Sequence, residues 1–383
     1  MPVTRGRGSE VSRFQSSHSS ASDWRAACDE AIASLDPAGG DDARLGFVYV
    51  TDPFGPRLAA IVEHVRRRTG IRSWVGSVGL GIIAAGREYF GVPALALLVA
   101  DIPAEAHRIF ETVASDFDGF DAAHRRWCDE REAYFAFVHA DPRNPRLGGL
   151  IDGLASRLGD GYLVGGLTSS ETSIVQIAGG PTSGGLSGVL LASSVPVVTR
   201  HTQGCAPIGP RREITRCERN IVIEIDGRPA LDVFNEDIGE ILARDLRRAA
   251  GYIFVGLPIP RSDTGDYLVR NLIGVDPRTG VLAVAQTLEP GQRIMFCRRD
   301  ARSAEVDMRR MLTELRDAAG GTPKAGIYYS CLARGPNLFG PNSEEAKMIA
   351  EALGDFPLVG FFANGEISHN RLYAYTGVLT LFT

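Results

Sequence analysis

Short, continuous apolar runs alternate with amphipathic stretches along most of this sequence of 383 residues. The run Phe-Val-Tyr-Val at residues 47–50 has the length and continuity of a strand buried on both faces. The next stretch places Leu58, Ile61 and Val65 on one face of a helix. Gly70 then provides a typical helix C-terminus. The pattern predicts an α/β protein of mixed α+β character.

Part of this pattern is repeated. Asp52 and Asp141 each follow an apolar run and open the motif Asp-Pro-x-x-Pro-Arg-Leu, and Gly76 and Gly165 follow them at equal distances in Val-Gly pairs. A weaker third copy has its Val-Gly pair at Gly360. Each copy predicts a β-α-β unit with parallel strands, followed by a strand that returns antiparallel. We therefore expect repeated β-α-β-β units that form mixed sheets flanked by helices.

The spacing also relates two glutamates. Glu171 follows the Val-Gly pair of the second copy at the distance at which Glu366 follows that of the third. The first copy has Ile82 at this place. The repeat therefore predicts related positions for the two carboxylates.

Outside the repeats the pattern changes. Residues 1–13 are polar and predict a disordered tail, and the helical pattern is lost over residues 117–132, which predicts a surface connection. Alternating strands are expected after Val195, with one helix over about 236–249. A long helix over 302–319 leads into the third copy.

Charge and composition exclude several classes of function. The net charge of -5 comes without a basic stripe, so no nucleic-acid partner is expected. No run of about 18 apolar residues occurs, so no membrane span is expected, and the polar N-terminus lacks the core of a secretory signal. The six cysteines are scattered without a Cys-x-x-Cys pair. This spacing predicts a cytoplasmic protein with no metal site.

Three segments carry a family resemblance. These are Gln-Gly-Cys-x-Pro-Ile-Gly at residues 203–209, Ser-Cys-x-x-Arg-Gly-x-x-Leu-Phe-Gly at 330–340 and Val-Gly-Phe-Phe-Ala-Asn-Gly-Glu-Ile at 359–367. They resemble segments of the FIST family, and the resemblance extends over about residues 14 to 383. It implies two halves, which are an N-terminal FIST domain at 14–210 and a C-terminal FIST domain at 211–383.

The resemblance also implies a function. FIST modules are sensory, are proposed to bind small ligands such as amino acids, and pass a signal to a downstream protein. Some relatives are haem-binding nitric-oxide sensors. We therefore expect a stand-alone sensory protein of intracellular signal transduction with a small-molecule ligand, without a dedicated enzymatic activity and without a cofactor.

Candidate ligand-binding residues follow predicted strands. Arg334 comes shortly after Cys331, where a guanidinium can grip a ligand carboxylate, and Gly335 allows close backbone approach. A structural salt bridge is the alternative for Arg334. The hypothesis also predicts that Arg334→Ala keeps the fold and abolishes binding. The pocket is expected between the halves, near Arg334, Cys331, Glu366 and Gln203. Further ligand-binding candidates are Cys205, Glu171 and Asn364.

The two glutamates would bind an ammonium group, which suits an amino-acid ligand, unless they cap turns or pair with arginines. Cys331 could also be the nucleophile of a hydrolase or transferase, provided that its thiol pKa is lowered. His139 and His201 are the candidate axial ligands if the protein binds haem. No Cys-x-x-Cys-His motif is present, so covalent haem attachment is excluded.

Overall fold

Three copies of one folding unit supply most of the ordered elements. The computed structural model describes residues 14–35, 44–159, 161–239, 252–259 and 266–383, so the predicted tail at 1–13 lies outside it. Within these ranges the helices are α1 (Trp24–Ala33), α2 (Leu58–Thr69), α3 (Asp118–Arg131), α4 (Leu147–Ala155), α5 (Ala230–Ile238), α6 (Ala301–Ala319) and α7 (Glu344–Leu353).

The strands of the first two units are β1 (Gln15–Ser19), β2 (Leu45–Thr51), β3 (Ser73–Gly79), β4 (Gly81–Ala84), β5 (Arg87–Phe90), β6 (Leu95–Ala100), β7 (His107–Val113), β8 (Phe135–Ala140), β9 (Tyr162–Leu167), β10 (Gln176–Ala178), β11 (Gly180–Thr182) and β12 (Leu186–Leu191). Those of the third unit are β13 (Val197–Gln203), then, after an inserted segment, β22 (Ala325–Cys331), β23 (Leu358–Ala363), β24 (Glu366–His369), β25 (Arg371–Tyr373) and β26 (Thr376–Phe382). The inserted segment contains β14 (Cys205–Pro207), β15 (Arg212–Glu218), β16 (Ile221–Ile225), β17 (Arg228–Pro229), β18 (Ile253–Pro258), β19 (Tyr267–Asp276), β20 (Val281–Val284) and β21 (Arg293–Arg299).

Each unit is built around one central strand, which is β2, β8 or β22. The central strand pairs in parallel with the strand that follows its helix and antiparallel with the last strand of the unit. The predicted β-α-β-β units, the mixed sheets and the mixed α+β class are therefore confirmed.

The three units exchange hairpins. The hairpin β4–β5 of the first unit completes the sheet of the third, β10–β11 of the second completes the sheet of the first, and β24–β25 of the third completes the sheet of the second. None of the three six-stranded sheets is therefore made by one unit alone.

The inserted segment forms a sheet of its own between β13 and α6. Strand β21 pairs with β15 and also with β18, so this sheet closes on itself, and we refer to β14–β21 with α5 as the closed sheet. Its core includes Phe234 and Phe296, whose ring centroids are 4.9 Å apart. Helix α5 begins earlier than predicted, and most of the predicted range 236–249 lies outside the described residues.

Two further predictions concern the segment 117–132 and the division between the halves. The surface connection predicted over residues 117–132 is wrong, because helix α3 lies there. Its buried positions are Phe120, His124 and Cys128, and only the first is a large apolar residue. The division at 210/211 stays a prediction, and strand β13 on one side of it pairs with β26 on the other.

Aromatic and polar groups meet where the three inner sheet faces come together. Tyr49, His139 and Tyr329 occupy the same position in the three central strands and are fully buried. The Tyr49 hydroxyl lies 2.8 Å from the Tyr329 hydroxyl and 3.1 Å from His139 Nε2. Burial lowers the pKa of His139 to about 3, so its imidazole is neutral.

The repeated Val-Gly pairs have a steric cause. A Cβ atom built on Gly76, Gly165 or Gly360 would lie 1.8, 1.9 or 1.7 Å from the carbonyl oxygen of the facing residue in the central strand. No rotamer change relieves a clash with backbone. Glycine is therefore required at all three crossings, which explains the clearest repeat signal in the sequence.

We expect Gly165→Ala to lower the free energy of unfolding by at least about 2 kcal/mol, because it forces β8 and β9 apart. The measurement is urea unfolding monitored by circular dichroism. Gly148→Ala is the control, since this exposed glycine of α4 has open space around its Cβ position. The control should be neutral or stabilising by up to about 1 kcal/mol. Equal stability of the two variants would contradict the steric account.

Candidate functional site

Arg334 lies fully buried just after β22, in an ion pair with Glu345. Its Nε donates to Glu345 Oε1 at 2.9 Å. The same carboxylate accepts from the Tyr328 hydroxyl at 2.8 Å and from Ser330 Oγ and the Gly335 backbone N–H at 2.9 Å each. The structural salt bridge that the sequence left open is thus present, and it satisfies both oxygens of Glu345.

The remainder of the Arg334 guanidinium has fewer contacts. Nη2 approaches Met308 Sδ at 3.4 Å, whereas Nη1 has no hydrogen-bond partner among the described residues. A Cβ atom on Gly204 would lie 3.4 Å from Nη1 and 2.3 Å from the Tyr375 carbonyl oxygen. The Nη1 group of Arg334 therefore faces Gly204, which links β13 to β14, and only glycine fits at this position.

Glu366 opens β24 and is also fully buried. Its Oε2 accepts from Thr376 Oγ1 at 2.7 Å and from the Thr376 N–H at 3.1 Å, while Oε1 has no partner in the described chain. Burial raises the pKa of Glu366 to about 8, against the opposing effects of Thr376, Arg334 and Cys331. This carboxyl is therefore largely protonated at neutral pH.

Gln203 is next to the neighbours of both Arg334 and Glu366. It pairs across β13 and β26 with Thr376, the residue that donates to Glu366, and it precedes Gly204, which borders Arg334. Its Nε2 donates to the Tyr267 carbonyl at 3.1 Å, but its Oε1 has no partner within the described residues. Three buried polar atoms that have no partner in the described part of the chain thus belong to residues at the junction of the third unit and the closed sheet.

A cleft of about 690 Å³ opens next to this junction. It runs between α6 and the closed sheet, and Gln203 and Cys205 form part of its wall together with Asp307 and Arg310 of α6. Asp307 Oδ2 accepts from the Gln203 backbone N–H at 2.6 Å and fixes the end of β13. The link at residues 203–205 therefore separates the cleft from Arg334.

The thiols at the junction are not activated. Cys331 and Cys205 are buried, and burial raises the pKa of both thiols well above the ordinary value. A nucleophilic cysteine needs the opposite shift. Cys331 contributes instead to the electrostatic surroundings of Glu366 and Arg334.

Two predicted residues lie apart from this group. Glu171 is exposed in the loop after β9, where its backbone N–H donates to Asp52 Oδ1 at 3.2 Å. In the second unit the position equivalent to Glu366 is occupied by Gln176. Gln176 pairs with the residue after Gly76, and Glu366 pairs with the residue after Gly165. The equal spacing of the two glutamates is therefore coincidental. Asn364 is also exposed, and its backbone N–H donates to the Leu167 carbonyl.

The two candidate haem ligands do not fit that role. His139 Nε2 contacts two tyrosine hydroxyls in the fully buried centre of the molecule. His201 Nε2 lies 3.2 Å from Asp266 Oδ1, and its ring centroid is 5.1 Å from that of Tyr373. The His139 ring is thus closed to a porphyrin, and the Nε2 atom of His201 faces a carboxylate.

Sequence reasoning missed Glu345, the residue that holds Arg334 in place. A signal was available, since Glu345 lies on the same helical stripe as Ile349 and Leu353 of α7, which are all buried. A glutamate on an apolar stripe beside a candidate arginine indicates a buried pair.

Two family models match this chain. A model of the FIST N domain matches residues 44–228 and a model of the FIST C domain matches residues 230–369. The chain therefore belongs to the FIST family, whose domains are linked to sensory signal transduction.

Several curated proteins are similar over nearly the full length. "Uncharacterized protein MT0656" of Mycobacterium tuberculosis (strain CDC 1551 / Oshkosh) is 33% identical over 95% of this chain and 98% of its own. "Uncharacterized protein Mb0898c" of Mycobacterium bovis (strain ATCC BAA-935 / AF2122/97) is 28% identical over 94% and 95%. In the described ranges, no helix is long and apolar enough to cross a membrane.

We expect Glu345→Gln to lower the free energy of unfolding by about 3–5 kcal/mol, because it leaves the Arg334 charge buried without a counter-ion. Chemical unfolding at neutral pH measures the change. Glu305→Gln is the control, since Glu305 forms an exposed pair with Arg309 at 2.9 Å and should matter by less than about 1 kcal/mol. Similar losses in the two variants would show that burial does not strengthen the pair.

The raised pKa of Glu366 predicts a pH-dependent stability. The folded-state pKa of about 8 exceeds the ordinary value of 4.5, so its contribution is complete below the ordinary value and is lost as pH rises towards 8. We expect Glu366→Gln to remove this loss and to gain stability relative to the parent across that window. Urea unfolding at several pH values tests this. A difference that stays constant with pH would contradict it. Glu88, whose pKa burial raises to about 7, affects both proteins alike and cancels.

Proposed function

We propose that this protein is a sensory protein of signal transduction that binds a small ligand at the junction between its third unit and the closed sheet. The observation that carries the proposal is that three buried polar atoms at this junction have no partner among the residues that the structure describes, and these are Arg334 Nη1, Glu366 Oε1 and Gln203 Oε1. Buried polar groups in proteins are nearly always hydrogen-bonded. A ligand with both donors and acceptors would supply the partners.

The chemistry of the junction supports a small polar ligand such as an amino acid or a related compound. It offers one cationic donor, one carboxyl and one amide oxygen. The adjoining cleft of about 690 Å³ leads from solvent to Gln203 and Cys205, and a ligand passes from it to Arg334 and Glu366 by displacing the link at residues 203–205. This arrangement of a few polar groups beside a cleft is typical of ligand sites.

The position of the site supports a sensory role. The chain enters the closed sheet after Gln203 and leaves it before α6, and both crossings border the cleft. A ligand seated there contacts the third unit and the closed sheet together, so it can change how a partner protein meets them. The downstream signalling partner and the cytoplasmic location stay predictions.

The other two functions have weaker support. A haem-dependent sensor needs an accessible imidazole, but His139 is fully buried against two tyrosine hydroxyls and His201 Nε2 lies 3.2 Å from Asp266 Oδ1. A thiol-dependent hydrolase or transferase needs a lowered thiol pKa, and burial raises the pKa of Cys331.

The test is thermal unfolding of the purified protein against a panel of amino acids, amines and small carboxylates. A ligand of the native state raises the midpoint, by the equivalent of about 2.7 kcal/mol at a hundredfold excess over Kd. We expect Gln203→Leu to weaken binding about tenfold or more, because it removes one acceptor. Arg334→Ala is unsuitable, since it would leave Glu345 buried without its counter-ion.

Gln176→Leu is the matched control. Gln176 is likewise buried, makes one bond through Nε2 and has an Oε1 without a partner, but it lies between the first and second units. Equal loss of binding in the two variants, or no stabilising compound in the whole panel, would contradict the proposed site.

A further inference from the structure

The charges at the junction are already partly balanced, and this limits the ligand. Arg334 and Glu345 are both fully buried and form a neutral pair at 2.9 Å. The free Nη1 still donates a hydrogen bond, but it no longer brings an uncompensated positive charge. A ligand carboxylate placed on Nη1 would add a net negative charge to a buried cluster, which is unfavourable.

Glu366 is the carboxyl without a counter-ion at this junction. The charged and titratable groups around it are Arg334 and Cys331, from β22 and the loop that follows. On the neighbouring strand β25, Glu366 pairs with Tyr373. Strand β26 contributes the neutral Thr376, and β9 contributes the backbone of Gly166. None of these supplies a cation paired directly with Glu366. Burial keeps its pKa near 8, so the group holds its proton when no cation is beside it.

Resting on the proposed function, we propose that the site selects small molecules with a primary amine next to a neutral hydrogen-bond acceptor, such as amino alcohols or amino amides. The ammonium group donates to Glu366 Oε1 and Gln203 Oε1, and the neutral acceptor receives Arg334 Nη1. The protonated Glu366 carboxyl loses its proton to solvent, and the incoming ammonium replaces that proton's charge. One cation enters and one proton leaves, so the buried charge does not change.

The count of donors and acceptors supports the same choice. Within the described ranges, the junction has two acceptor oxygens and one N–H donor without partners. An ammonium group has three donors and can satisfy both oxygens. A carboxylate has no donor for either oxygen, and a zwitterionic amino acid satisfies them only while adding a second carboxylate. Amino alcohols and amino amides should therefore bind more tightly than amino acids, and amino acids more tightly than simple carboxylates.

The experiment is titration calorimetry of the full chain with ethanolamine, glycine and acetate, with ethylene glycol as the probe that lacks the amine. Ethanolamine is suited to it because an aliphatic amine stays protonated throughout the titration range of Glu366. Titrations near pH 7 in two buffers of different ionisation enthalpy count the protons released. We expect ethanolamine to bind most tightly of the four, with close to one proton released. Its affinity should rise about tenfold per pH unit and level off above about 8.

Two variants separate the roles. Glu366→Gln should weaken ethanolamine binding about tenfold or more and abolish proton release, because the amide neither ionises nor balances the cation. Glu171→Gln is the control, since this exposed glutamate lies outside the junction, and it should leave both quantities unchanged.

Several outcomes would overturn the inference alone. These are acetate or glycine binding at least as tightly as ethanolamine, ethanolamine binding without proton release, or panel compounds binding at Gln203 while all four probes fail. In each case the proposed ligand site would stand. Failure of the four probes together with the whole panel would overturn both.

Discussion

The exchange of hairpins among the three units is the constraint on which the rest of the structure depends. Each sheet takes its last two strands from another unit, so no unit can bury its own sheet edges without the other two. The exchange brings the three central strands together, and it places Tyr49, His139 and Tyr329 in mutual contact. The glycines of the Val-Gly pairs permit the close strand crossings that this packing requires.

The same exchange also holds the candidate site in place. Glu88, on the hairpin that the first unit contributes to the third, accepts the N–H of Ala346 in the first turn of α7. A carboxylate at this position stabilises a helix N-terminus. Helix α7 carries Glu345, which in turn orients Arg334. The four hydrogen bonds that the Glu345 carboxylate accepts therefore link the geometry of the junction to the packing of the whole repeat.

Much of the unit could be predicted from the sequence because its signals are local, namely apolar runs, helical stripes and C-terminal glycines. The exchange of hairpins could not be predicted, because β4 has the same sequence pattern whichever sheet it joins. Aligning the copies on Asp-Pro also misplaces the strands by one residue, which hides the equivalence of Tyr49 and His139. Arg334 and Glu366 could be predicted because they follow the ends of predicted strands. Glu171 was predicted from its equal spacing to Glu366, but the connection from β9 to β10 in the second unit is longer than the one from β23 to β24 in the third. Equal spacing therefore does not mark equivalent positions.

The third unit differs from the other two at the end of its central strand, and the candidate site lies beside this difference. Thr51 and Asp141 hold the turn before the last strand of their units, through the N–H groups of Ala94 and Gly184. The equivalent residue is Cys331, whose thiol bonds weakly. The turn beside it is secured instead by Glu366 acting on Thr376, which uses only one carboxyl oxygen. The other oxygen has no partner within the described residues and is fully buried, so a group that would be solvated in an ordinary turn is kept from water here.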